Sequence, residues 1–124
     1  MKKNIFLAVL ALTVIVSCVG QKGDVVSPKE FQAKISSSTT ILDVRSDAEF
    51  KTGHLSNALN MDVNGSQFEA QSAQLDKSKP VLVYCKAGVR SNRAAQILRK
   101  MGYNVIELNG GIDAWQSQGL PVVK

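Results

Sequence analysis

The sequence is poor in cysteine and histidine. Its 124 residues hold two cysteines, Cys18 and Cys85, and one histidine, His54. No second cysteine lies close to Cys85, so the C-x-x-C pattern of a thiol–disulfide oxidoreductase is missing. A run of about 20 apolar residues, the length a transmembrane helix needs, is missing too. There is no internal repeat, no low-complexity tract beyond Ser36–Thr40, no apolar stripe that suggests a dimer, and no room for a second domain. Strong charge is also lacking. The formal charge is +5, and leaving out Lys2 and Lys3 sets thirteen Lys and Arg against ten acids, or +3. That mild excess favours small anions and is too weak and dispersed for nucleic acid.

What is present begins with the N-terminus. Lys2 and Lys3 precede Ile5 to Val16, an apolar run interrupted only by Thr13. Its length suits the h-region of an export signal. The run ends at Ile15-Val16-Ser17-Cys18, and a small residue directly before cysteine resembles the lipobox of bacterial lipoproteins. The expectation is a signal over residues 1–17, lipid attachment at Cys18, and an exported protein held at the cell envelope. Simple secretion and an uncleaved anchor are the alternatives. Residues 18–27 read as a tether, and 28–124 as the domain. If Cys18 carries lipid, Cys85 has no disulfide partner in its own chain; otherwise a Cys18–Cys85 bridge is the plainer reading.

The domain alternates helix starts with β-rich runs. Ser27-Pro28-Lys29-Glu30 offers a capping serine, a first-turn proline and the glutamate of a capping box, with Phe31, Ala33 and Ile35 expected inward. Ser46-Asp47-Ala48-Glu49 repeats the box, and Gly53 ends that helix. Ile41–Val44, Ala58–Met61, Val81–Tyr84 and Asn104–Leu108 read as strands. Helical stretches are expected over Ser66–Gln74, Ser91–Met101 and Ile112–Gln118. Ala94, Ala95, Ile97 or Leu98, and Met101 form the apolar stripe of the second of these. Trp115 and Phe50 read as core packing. This alternation predicts an α/β domain, a small parallel-stranded sheet with helices on both faces.

The chemistry is expected at Cys85-Lys86-Ala87-Gly88-Val89-Arg90-Ser91. This segment joins a strand to a helix at the carboxyl end of a parallel strand, where open α/β sheets form their crevices. A short loop curling into a helix N-terminus aims backbone N–H groups inward, and such a nest binds anions and stabilises a thiolate. Lys86 and Arg90 add positive charge beside the sulfur, and Gly88 suits a tight loop. The thiolate is the nucleophile. The plainer alternative is an inert buried cysteine.

These residues belong to a longer ordered set: Ile41-Leu42-Asp43-Val44-Arg45, Glu49-Phe50, Gly53-His54-Leu55, Ala58-Leu59-Asn60, the Cys85 loop, Gly110-Gly111, Trp115, Gly119 and Pro121. From about Pro28 to the C-terminus the chain resembles the rhodanese-homology domain. That resemblance implies a parallel-stranded α/β fold and a sulfurtransferase whose cysteine, here Cys85, alternates between thiolate and persulfide. It implies a small anionic donor such as thiosulfate and a thiol or cyanide-like acceptor. It also implies that Lys86 and Arg90 hold the sulfonate while the amides of Lys86, Ala87, Gly88, Val89, Arg90 and Ser91 cradle the sulfur. No metal or organic cofactor is called for. His54 falls in a structural turn of the family, and Asp43, Arg45 and Glu49 are expected to form a polar network supporting the loop. Asp113 is expected to be a solvated or capping residue.

Three rival readings are open. A cysteine-dependent phosphatase or arsenate reductase uses a similar cradle, but its arginine usually sits six residues after the cysteine. Here that position is Ser91, and Arg90 is fifth. The second rival is a non-catalytic sulfur-carrying module docked on a partner at the cell envelope. Its mark would be a damaged loop, and this loop is intact. The third, a thiol–disulfide oxidoreductase, fails on the missing second cysteine.

Overall fold

A computed structural model describes residues 24–124. The expected signal, the lipid attachment at Cys18 and the first part of the tether lie outside the described residues. Five parallel strands form one sheet: β1 Asp24–Val26, β2 Thr40–Asp43, β3 Leu59–Asn60, β4 Val81–Tyr84 and β5 Val105–Leu108, in the order β1-β5-β4-β2-β3. The helices are α1 Pro28–Lys34, α2 Asp47–Thr52, α3 Phe68–Ser72, α4 Val89–Lys100 and α5 Gly111–Ser117. The expected α/β class, with a parallel sheet covered on both faces, is the observed one.

Side-chain alternation along the strands builds two cores. Val81, Val83 and Cys85 point with Leu42, Val44 and Val105 towards Phe68 of α3 and Ala94, Ala95 and Leu98 of α4. Leu82 and Tyr84 point the other way, with Ile41, Ile106 and Leu108, towards Phe31 of α1 and Ile112 and Trp115 of α5. Phe31 meets Trp115 edge to face with ring centroids 6.2 Å apart. Every residue of β4 is buried, as a central parallel strand requires.

Both serine caps form. Ser27 accepts from the Glu30 amide, and Ser46 with Glu49 closes a full reciprocal box. Several expectations need correction. Ala33 is exposed, because α1 turns only Phe31 and Pro28 fully inward and ends at Lys34. Phe50 is not core: α2 buries no residue, and the ring instead stacks on His54 at 3.7 Å. The helix after Cys85 starts at Val89 rather than Ser91, so the last residues of the expected loop form the first helical turn.

The tether is also shorter than expected at its carboxyl end. Asp24–Val26 pairs in parallel with Ile106–Leu108, and the Asn109 amide donates to the Val26 carbonyl at 2.8 Å. Val26 is buried against the face that holds Phe31. Residues 24–27 therefore belong to the sheet and the first cap. Burial of Val26 and the ladder bonds together stabilise the domain by about 2 kcal/mol. A chain beginning at Ser27 should consequently unfold about 10 °C below one beginning at Val19, as thermal denaturation would read. Equal midpoints would mean that β1 contributes nothing.

Candidate active site

Connections leave β2 and β4 towards opposite edges of the sheet, so a crevice opens where their carboxyl ends lie side by side. Cys85 follows β4 directly and faces the α4 side, with 1% of its surface exposed. It is a free thiol. The chain then turns through Gly88, whose left-handed φ of 112° makes it the cap of α4. That geometry suits glycine and needs the freedom a Cβ would remove.

The turn wraps donors around the sulfur. The Gly88 amide donates to Sγ at 3.1 Å, and the buried Ser91 hydroxyl lies 3.4 Å from Sγ and 3.1 Å from the Gly88 carbonyl. A thiol can donate to Ser91 Oγ while that hydroxyl donates to Gly88. A thiolate can accept the same hydroxyl proton after one rotation. Burial pushes the Cys85 thiol up, but the Ser91 hydroxyl and the amides of Ser91, Gly88 and Ala87 outweigh it and leave the group below its ordinary value.

The loop is held from the opposite side by α5. The Ile112 amide donates to the Cys85 carbonyl at 2.9 Å, and the Asp113 amide donates to the Lys86 carbonyl at 3.1 Å. Each carbonyl shares its peptide plane with the next amide, so drawing the Lys86 carbonyl to α5 turns the Ala87 N–H to the sulfur side. Close approach is possible because residue 111 is glycine. A Cβ there would sit 2.3 Å from the Lys86 carbonyl oxygen and 2.6 Å from that of Cys85. Gly110-Gly111, in the sequence only one motif of a family resemblance, thus has a physical role at the site.

Each of the two loop cations is paired with a carboxylate. Lys86 Nζ lies 2.9 Å from both Asp113 carboxylate oxygens. Asp113 is half exposed in the first turn of α5, as expected, and is in addition the ion-pair partner of Lys86. Arg90 makes a bidentate contact with Glu49 at 2.7 and 2.9 Å. This Arg90 contact, with the Ser46 bonds of the capping box, holds the Glu49 carboxyl at about 2 despite the opposing effect of burial. Because the folded value is depressed, the pair's contribution is complete above the ordinary 4.5 and is lost as pH falls through about 2. Val89 is exposed at the loop's outer edge and Ala87 is also exposed, so neither side chain lines the cradle, and of the two the Ala87 amide is the donor to the sulfur.

Asp43, Arg45 and Glu49 do not form one network. Asp43 and Arg45 pair with each other at 2.6 Å, both buried, and Arg45 also donates to the Gly53 carbonyl. Asn60 donates to the carbonyls of Asp43 and Arg45, tying β3 to the end of β2. Glu49 shares no hydrogen bond with that pair and clamps Arg90, although its charge reaches Arg45. His54 Nδ1 contacts the Phe50 carbonyl at 2.9 Å, and its backbone pairs with Val123. His54 thus forms an isolated antiparallel bridge with Val123. Among the described residues, no group of three or more His, Cys, Asp and Glu side chains is arranged to hold a metal.

Known proteins share this arrangement. The family profile of the Rhodanese-like domain matches residues 27–118. The chain belongs to the Rhodanese-like domain family. A rhodanese-related protein of Thermoplasma volcanium superposes with a TM-score of 0.74 at 30% identity, over 81% of this chain and 97% of that one. A protein of Allochromatium vinosum named sulfurtransferase is 34% identical over 84 residues, 67% of this chain and 77% of the relative. The tRNA uridine(34) hydroxylase of Onion yellows phytoplasma is 36% identical over 109 residues, 83% of this chain. The chain spans only 35% of that longer relative.

The hydroxyl at Ser91 gives the site a measurable signature. Replacing Ser91 with Ala should raise the midpoint pH of Cys85 alkylation, because one donor to the thiolate is lost while burial remains. The pH profile of iodoacetamide labelling in both proteins checks this. A midpoint that is unmoved or lower would leave stabilisation to the amides alone.

Proposed function

We propose that this rhodanese-like domain is a sulfurtransferase that carries a sulfane sulfur on Cys85 as a persulfide. The observation that carries the reading is the convergence of a hydroxyl and backbone amides on one buried cysteine sulfur. Such a cage stabilises a thiolate before reaction and a persulfide anion after it. The relative named sulfurtransferase supports the same chemistry.

The cycle follows from the site. The Cys85 thiolate attacks the outer sulfur of thiosulfate or another donor, the donor's S–S bond breaks, and its electron pair leaves with sulfite or the corresponding group. The amides of Ala87, Gly88 and Ser91 then face the persulfide. A thiol or cyanide-like acceptor attacks the outer sulfur, and the Cys85 thiolate departs. No proton need be removed from the nucleophile in the first step, because it reacts already ionised. Ser91 moves only its own hydroxyl proton between the Gly88 carbonyl and the sulfur.

The N-terminal reading adds a place. With a signal over residues 1–17 and lipid on Cys18, the domain would work at the cell envelope, and its acceptor would have to be reached there. In a bacterial host, Cys18→Ala should move the protein from the membrane fraction to the soluble or secreted fraction. Unchanged fractionation would remove the lipid anchor from the proposal.

The chemistry is tested by intact mass spectrometry of the full chain before and after exposure to sulfane donors, beside Cys85→Ala. The expected result is one added sulfur on the parent alone, discharged by cyanide as thiocyanate. A folded parent that gains no sulfur from any donor would contradict the reading.

A further inference from the structure

The resemblance to rhodaneses assigns Lys86 and Arg90 to the sulfonate of thiosulfate. The structure matches each with a carboxylate. Arg90 is held bidentately by Glu49, itself fixed by the Ser46 capping box, and Asp62 lies within Coulombic reach of the same guanidinium. Lys86 meets both oxygens of Asp113. The Lys86–Asp113 contact is more than half exposed on the lysine side and by itself contributes little to stability. Its charge effect does not depend on constant contact. The Asp113 amide is bonded to the Lys86 carbonyl, so the carboxylate stays beside the ammonium even when the side chains part. The remaining donors at the sulfur are backbone amides and one neutral hydroxyl.

Resting on the reading of Cys85 as the sulfur carrier, we propose that Asp113 and Glu49 set the donor class of the site by cancelling the charge of Lys86 and Arg90. The favoured donor is then a neutral or singly charged persulfide, R–S–SH or its anion, rather than the thiosulfate dianion. With R–S–SH, the Cys85 thiolate bonds to the terminal sulfur and the donor S–S bond breaks. Its electron pair leaves as R–S⁻, and the proton stays on the transferred sulfur. One negative charge enters the transition state and one leaves. With thiosulfate the same displacement gathers three negative charges at the mouth and expels a sulfite dianion. Charge-neutral surroundings penalise the second far more than the first.

Asp113 is the specificity-determining residue to test, because Glu49 also caps α2. The full chain is assayed at low ionic strength with thiosulfate and with 2-hydroxyethyl persulfide, whose organic group carries no charge, as wild type, Asp113→Asn, Asp113→Glu, and Asp113→Asn combined with Lys86→Met. Freeing Lys86 in Asp113→Asn should raise the thiosulfate-to-persulfide ratio of kcat/KM by about fivefold or more, through a lower KM for thiosulfate. Asp113→Glu should restore the wild-type ratio, and the double variant should not show the rise. A ratio that moves by less than about twofold in Asp113→Asn, or rises equally without Lys86, overturns the inference. If wild-type Cys85 takes sulfur from neither donor, the carrier reading itself falls and this inference falls with it. Sulfur uptake with an unmoved ratio overturns the donor class alone.

Discussion

Two hydrogen bonds organise the site: the Ile112 and Asp113 amides of α5 donate to the Cys85 and Lys86 carbonyls. A peptide group cannot point its carbonyl one way without pointing its N–H the other. Fixing the first two carbonyls of the loop outward, towards α5, commits the amides of the same peptide planes, Lys86 and Ala87, to the opposite side and sets the entry to the turn that brings Gly88 and Ser91 to the sulfur. Gly111 makes the contact possible, since any Cβ there would occupy the space of those carbonyl oxygens. The same helix places Asp113 beside Lys86 and Trp115 against Phe31. Core packing, loop geometry and rim charge therefore share one element.

The charges beside and behind the site are matched in pairs. Asp43–Arg45 is buried behind the site, and Arg99 of α4 reaches the buried Glu107 of β5. Such pairs add little net stability over well-packed apolar residues, but breaking one partner leaves a costly unpaired charge. They are better understood as fixing position: Asp43–Arg45 ties the end of β2 to the Gly53 turn, and Glu49 ties α2 to the first turn of α4. The sulfur is then stabilised mainly by neutral dipoles already aimed at it. Such preorganised donors need no reorientation as charge develops.

The parts of this design that are legible in the sequence are local in the chain. Ser27 and Ser46 can be read as caps because a cap acts over three residues. The strand Val81–Tyr84 can be read because four β-formers run unbroken before a glycine-bearing loop. Cys85 and its cradle follow from their place after that strand. What is illegible depends on distance along the chain. Glu49 and Arg90 are 41 positions apart and Lys86 and Asp113 are 27 apart, and nothing in either segment names its partner. Asp24–Val26 carries too few residues to show a strand period, so only its pairing with β5 reveals it. Phe50 reads as a core residue by type, but its helix lies on the surface and the ring packs on His54 instead. Gly110-Gly111 is visible only as a motif, because the carbonyls that Gly111 accommodates lie 25 and 26 residues earlier.

The dependence of the sulfur on the grip of α5 can be tested at Gly111. In Gly111→Ala, the pH midpoint of Cys85 alkylation would be measured beside thermal unfolding and far-UV circular dichroism. A folded variant should show the midpoint shifted upward towards that of an ordinary buried thiol, because the added Cβ pushes the carbonyls away and the amides leave the sulfur. A variant that folds and keeps the wild-type midpoint would contradict the dependence of the thiolate on α5.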